Sequence, residues 1–301
     1  SRKVIVSNEQ DFFEDFESNY GTSIPTVSAS FGNEWELALA SVAEISASVK
    51  RAVEKLRTAE AIASYVTLYQ PNFMDASKAL RENAWMRMGL FWDHSLTADS
   101  PVISRSVRSA WQREIAAEIT SYAVTLENSA AQALGNLIDR RGFSECYYVF
   151  NPLSWNRTDY ADLPSNPGGA FHVVDVSSGD DVPSQLVTVG GATRVRILAS
   201  NVPSVGFRLY AVMHGAGAIY PPAVTIAGGN MENDRYKLTV ASDGALTSLQ
   251  DKSAGNREYV QEIDNRLVND LGIGSGSIAV ENAGPVSATL VATAGTPLAH
   301  K

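Results

Sequence analysis

The hydrophobic period of this chain changes once, near residue 145, and that change limits what it can fold into more than any other feature. Before it, Val42, Ile45, Val49, Val53, Leu56, Ala59, Ala63 and Val66 recur at spacings of three and four, as the buried face of a long helix requires. Gln70-Pro71-Asn72 ends that pattern, because proline cannot continue the helical hydrogen bonding. A second helix is predicted from about Met74 to Trp92, with Leu80, Ala84, Met88 and Phe91 on one stripe. After a turn near Pro101, a third carries Trp111, Ile115, Ile119, Tyr122, Leu126, Ala130, Leu134 and Leu137. It runs out at Arg140-Arg141-Gly142, cations followed by glycine, which suits a helix C-terminus. Beyond residue 145 the runs CYYVFN, FHVVDV, QLVTV, TRVRIL and GFRLYAV are short, rich in β-branched and aromatic residues, and bounded by turn formers.

The predicted fold class is therefore multidomain α+β. A three-helix bundle over residues 31–143 is followed by an all-β part: a small sandwich at 144–220 and the start of a larger one at 221–301. Residues 1–30 read as the remnant of a βα unit and a linker. Val4, Ile5 and Val6 suit a buried strand, Ser7 and Gln10 match a capping box, and Phe12, Phe13 and Phe16 give the next helix an apolar face. Ser242-Asp243-Gly244 is a turn between two alternating strands, and Gly190-Gly191 lies between strands rather than before a helix, which argues against a nucleotide site.

A net charge of −9 argues against nucleic acid or an anionic membrane as partner, since phosphates need a basic surface. No run of 18 apolar residues is present to span a bilayer. Cys146 is the only cysteine, which excludes an intrachain disulfide and a thiolate-built zinc site and favours a reducing, cytoplasmic compartment. Asp99, Asp175, Asp180 and Asp181 read as turn formers and solvated charges. His172 and Asp175 are an odd number of positions apart on one strand and so point to opposite faces. Arg105, Arg108 and Arg113 are expected to pair with Glu114 and Glu118 on their own helix.

Several stretches stand in a fixed order. Trp35 precedes Arg51 and Ala59-Glu60; Trp92-Asp93-His94-Ser95-Leu96 closes the second helix. Phe150-Asn151-Pro152-Leu153-Ser154-Trp155-Asn156-Arg157 opens the β part. Asn233-Asp234-Arg235-Tyr236 is followed by Asp243-Gly244, Ser248-Leu249, Asp251-Lys252 and Arg257-Glu258. In content and order these resemble the middle helical domain and part of the C-terminal β domain of glycoside hydrolase family 38, the retaining α-mannosidases. Ser95 departs from the family's usual Thr or Asp after the histidine.

The resemblance implies hydrolysis of terminal α-mannosides by two carboxyl groups and a zinc ion, with an α-mannoside oligosaccharide as partner. It implies that His94 is the zinc ligand which the helical domain lends to the catalytic domain. The rest of that apparatus is not legible. His94, His172, His214 and His300 all lack an aspartate two residues later, the spacing of the family's metal pair. The resemblance thus implies a fragment that shares zinc with an absent catalytic domain, lacks the nucleophile and does not turn over substrate alone. No catalytic residue is assigned, the sugar-binding residues are left unknown, and homo-oligomerisation is left open. Asn233–Tyr236 and Arg257-Glu258 are expected to fix the start of the larger sandwich, with approach to the sugar pocket as the lesser reading. The alternative function is a non-catalytic carbohydrate-binding or scaffolding protein.

Overall fold

The computed structural model describes residues 6, 8–28, 42–93, 102–271, 275–295, 299 and 301. Among them, four α-helices precede fourteen β-strands, and every strand pair is antiparallel. The chain divides into two compact units, Ser1–Arg51 with Glu82–Thr120 and Ala52–Arg81 with Ser121–Lys301.

Helix α1 spans Glu9–Tyr20. Its cap is Asn8, whose side chain accepts from the Asp11 N–H at 2.9 Å. Ser7, Val4 and Ile5 lie outside the described residues. Val6 is 97% exposed, against the buried strand expected there. The aromatic face forms, with Phe12 and Phe16 stacked at 6.1 Å, but α1 buries none of its residues.

Helix α2 spans Ala43–Thr67, α3 Lys78–Phe91 and α4 Arg105–Leu137. The period of 3.6 sets their buried stripes. On α2 these are Ile45, Val49, Ala52, Leu56, Ala59, Ile62, Ala63 and Val66, so Ala52 and Ile62 take the place expected of Val53. On α3, Ala84, Met88 and Phe91 are buried, while Leu80, in the first turn, is 58% exposed. On α4 the stripe runs from Ile115 to Leu134, and its expected ends, Trp111 and Leu137, stay partly exposed.

Within the first unit, Glu118 does not pair along its own helix as expected. Arg87 on α3 grips it with two bonds, Nε to Oε2 at 2.7 Å and Nη2 to Oε1 at 3.3 Å, and Asn83 adds a third at 3.0 Å. Arg113, five positions from Glu118 on α4, misses the three- or four-residue spacing that brings helical side chains together, whereas Arg87 reaches both carboxylate oxygens. Within the second unit, Lys55 of α2 pairs with Glu127 of α4.

The first β region holds β1 (Cys146–Asn151), β2 (Arg157–Leu163), β3 (Phe171–Asp175), β4 (Asp181–Val182), β5 (Ser184–Val189), β6 (Ala192–Val202) and β7 (Gly206–His214). They form two sheets, ordered β1-β7-β3-β4 and β2-β6-β5. Alternate residues from both build one core: Leu163, Val195, Ile197, Ala199 and Val202 from one sheet, Val173, Tyr210 and Val212 from the other. Burying each branched side chain contributes about 1.5–3 kcal/mol. Tyr148 ties β1 to α4, its hydroxyl donating to the Ala131 carbonyl at 2.9 Å.

The asparagine of the Phe150–Arg157 stretch is the hub of this region. Asn151 is 3% exposed. Its Nδ2 donates to the carbonyls of Trp155, Val202 and Pro203, and its Oδ1 accepts from the Leu153 N–H. One side chain thus satisfies buried backbone groups on two chain segments, which explains the amide at that position.

The second β region has a five-stranded sheet, β12-β11-β10-β9-β8, built from β8 (Thr225–Ala227), β9 (Asn230–Glu232), β10 (Tyr236–Val240), β11 (Leu246–Asp251) and β12 (Arg257–Glu258). The turn at 242–244 joins β10 to β11 as expected, with Gly244 at φ 94°. A separate hairpin pairs β13 (Gly276–Ala283) with β14 (Ala288–Ala294). Gln185 of β5 locks that hairpin's turn in place. Its Oε1 accepts the N–H groups of Val286 and Ser287, both at 2.9 Å, and its Nε2 donates to the Ser287 carbonyl at 3.1 Å. A Cβ at Gly284 would lie 2.5 Å from that oxygen, so the close approach requires glycine.

Candidate functional site

Helix α3 carries the segment that leads to His94. Phe91 is fully buried and anchors the helix end, while Trp92 packs edge-to-face against it at 5.2 Å and stays 41% exposed. The Trp92 N–H still bonds the Met88 carbonyl, and the Asp93 N–H bonds Leu90 at 3.3 Å, which closes the last turn. One ring is thus core and the next is surface immediately before the histidine. His94, Ser95 and Leu96 lie outside the described residues, as do Trp35, Asp99 and Pro101.

The 233–258 motif builds a cleft of about 540 Å³ on the second β region. Asn233 Oδ1 accepts the N–H groups of Arg235 and Tyr236 at 2.9 and 2.7 Å, an Asx turn that starts β10. Lys252 donates to the Asn233 carbonyl at 2.7 Å and pairs with Glu232 at 2.6 Å. Asp251 Oδ1 accepts from the Ser253 N–H and hydroxyl. Glu258 accepts the Ser248 hydroxyl at 2.6 Å, the Leu249 N–H at 2.7 Å and the Val260 N–H at 2.9 Å. Those bonds hold its carboxyl well below the usual range, at about 2. The motif's polar groups therefore set turns and fasten strand edges, in line with the structural role expected of them.

Met231, Leu238 and Leu249 stand side by side across β9, β10 and β11 and form the apolar floor of that cleft. Tyr236 and Tyr259 wall it, and Arg235 and Arg257 lie over those two rings at 5.3 and 5.2 Å. Tyr259 was not singled out from the sequence; its signal was an aromatic residue placed directly after Arg257-Glu258. Chemically the cleft offers aromatic and apolar contact, and its carboxylates Glu232 and Asp251 are already engaged.

His172 and Asp175 do point apart. Asp175 is buried and pairs with Arg208 at 2.9 Å, whereas His172 lies 3.9 Å from Asp181 across to β4. Burial acts to raise the Asp175 carboxyl, but the Ser177 hydrogen bonds and Arg208 outweigh it and hold it below its usual range. Asp175 turns the chain as expected, through the Ser177 N–H, but it is buried and paired with Arg208 rather than a solvated charge. Asp181 accepts the Ala218 N–H at 2.5 Å and so fastens the chain that leaves β7.

Among the described residues, no three His, Cys, Asp or Glu side chains gather into a group that could hold a metal ion. Zinc wants three or four protein ligands, so the described residues do not by themselves fit it. Nor is any described helix long and apolar enough to cross a membrane.

No protein-family model and no curated protein sequence matches the chain. Solved structures do. One is an α-mannosidase from Enterococcus faecalis, with TM-score 0.59 and 14% identity over 92% of this chain. Another is a protein of glycosyl hydrolase family 38 from Enterococcus faecalis, with TM-score 0.61 and 15% identity over 95% of this chain. This chain spans 39% of the length of each. Over that span, it shares the fold of these family 38 structures.

Proposed function

We propose that this chain is the helical middle part and the beginning of the C-terminal β part of a glycoside hydrolase family 38 α-mannosidase. In this reading the domains are the βα remnant at 1–30, a three-helix bundle at 31–143, a small β-sandwich at 144–220 and the start of a larger one at 221–301. One observation carries it. A fold likeness running through 92–95% of the chain coincides with an ordered series of motif residues along the same stretch.

The reaction is hydrolysis of terminal α-mannosides with retention. Such chemistry needs two carboxyl groups about 5–5.5 Å apart, which the catalytic part of the longer protein supplies. The cofactor is zinc, shared between that part and His94. The role of this chain is to present His94 from a helix end anchored by buried Phe91. The acidic charge and single cysteine support a cytoplasmic, non-membrane protein that does not bind nucleic acid.

The test is hydrolysis of an aryl α-mannoside with added zinc. This chain is run beside a longer polypeptide that joins it to its catalytic part, and beside the His94→Ala variant of the longer form. The longer protein should be active, this chain inactive, and His94→Ala should lose bound zinc and rate together. Hydrolysis by this chain alone, or an inactive longer protein, sinks the reading; retained glycan binding without hydrolysis returns the chain to the non-catalytic carbohydrate-binding alternative.

A further inference from the structure

A second cleft, of about 460 Å³, opens in the first β region, where no sequence motif pointed to a ligand. It lies in the size range of small-molecule sites. The turn after α4 brings Arg141 to it, the β1–β2 loop brings Asn156, and the turn after β3 brings Ser177. Asn201 comes from the end of β6, and Phe207 and Arg208 from β7. The floor is apolar and the rim carries planar donors.

The rim groups differ in what they have left to offer. Arg208 donates from Nε to the Asn201 carbonyl and from Nη1 to Asp175 and Ser177, so its charge is balanced and its position fixed. Asn156 accepts from the Ser204 N–H at 3.3 Å and keeps its amide hydrogens. The Arg141 guanidinium and the Asn201 side chain have no partner among the described residues.

The backbone pays for this arrangement. Arg141 and Asn201 both hold left-handed conformations, φ 49° and 51°, and Val205 in the adjoining turn holds φ 43°. Asparagine adopts this region readily, but for Arg141 and Val205 it costs about 1–3 kcal/mol each.

We infer that this cleft is a non-catalytic subsite for a short α-linked mannoside. A sugar ring offers a C–H face to the mainly apolar lining of the cleft. Its hydroxyls both donate and accept, which suits two amides flanked by two guanidinium groups. A simple anion would find one unbalanced cation, Arg141, since Asp175 already neutralises Arg208 at 2.9 Å, and would leave the two amides and the apolar lining unused. The choice of mannose rests on the proposed function; the choice of a carbohydrate rests on the cleft.

Two variants test it without disturbing the fold. Arg141→Gly and Asn201→Gly remove the side chains while glycine adopts the same φ freely. Binding of an α-linked mannobiose to this 301-residue chain is followed by titration calorimetry and amide NMR shifts, with inorganic phosphate as the competing probe. Each variant should melt no lower than the parent; Asn201→Gly should bind mannobiose about fivefold more weakly, the size of one lost neutral hydrogen bond, and Arg141→Gly about tenfold or more, because its bond is charge-assisted. The inference is overturned if mannobiose leaves the Asn201 amide signal unmoved, if both variants bind it as the parent does, or if phosphate alone occupies the cleft. Its fate is separable from the catalytic reading: unchanged binding by the variants beside an active longer protein removes this subsite only. Binding lost in the variants beside an inactive longer protein keeps the subsite and removes the catalysis.

Discussion

The two β regions are written in the same alternating pattern yet are stabilised differently. In residues 146–214, two sheets bury a common cluster that includes Val173, Val195, Ile197 and Tyr210, all fully inaccessible. In residues 225–294, the buried hydrophobic residues among those described are Ala245 and Ala294, and the in-register row Met231, Leu238 and Leu249 lines a cleft instead. Alternation states which face of a strand is apolar. It does not state what covers that face. Where two faces meet, dispersion and burial dominate; elsewhere turns, ion pairs and carboxylate caps hold the strands.

The sharpest way to break this contrast is a matched truncation. Ile197→Ala should cost about 4 kcal/mol, because a closed core leaves a cavity behind. Leu249→Ala should cost about 1 kcal/mol, because the side chain is only partly removed from water. Urea unfolding of both variants measures the difference, and equal losses would refute the contrast.

A smaller effect is expected from the hub of the first region. Asn151→Ala strands three carbonyls and the Leu153 N–H in a site 3% exposed. The loss should be about 3 kcal/mol by the same unfolding measurement, since orphaned buried polar groups cost about 1–3 kcal/mol each when water cannot reach them. A loss under 1 kcal/mol would mean that water replaces the amide.

The smallest effect belongs to the second region and depends on pH. Glu258 is held at about 2, below the ordinary 4.5, first by the Ser248 hydroxyl and then by backbone N–H groups. A depressed carboxyl stabilises the fold fully above its unfolded value and loses that contribution as pH falls through the folded one. Between pH 4.5 and about 2, the parent should therefore lose β-sheet stability that Glu258→Gln does not lose. Acid titration followed by circular dichroism measures it, and parallel curves would show that the carboxylate is not held as described. Asp175 works in the same direction in the first region, with Ser177 and Arg208 as the holding groups.

The local elements were legible in the residues. The spacing of Ile45 to Val66 and of Ile115 to Leu134 marked two helices and their buried stripes, because a helix repeats every 3.6 residues whatever it packs against. The Gly190-Gly191 hairpin and the 242–244 turn followed from residues that tolerate a left-handed backbone. The ordered motifs also named the fold now seen in the Enterococcus faecalis structures. Other features were decided by neighbours far away in sequence. Leu80 and Val53 carry the same apolar label as Ala84 and Leu56, yet they lie off the face that meets a partner. Glu118 pairs with Arg87 of α3, which bonds both of its oxygens, rather than with an arginine of its own helix, none of which stands three or four positions from it. Arg141, Asn156, Ser177, Asn201 and Arg208 are spread over 68 positions, on β6 and β7 and on the turns beside β1, β3 and the helix before them, and only the closing of both sheets gathers them around one cleft. Periodicity is a property of one segment and can be read from it. Burial, ion-pair choice and the convergence of side chains belong to pairs of segments, and those arise only when the sheets and helices close on one another.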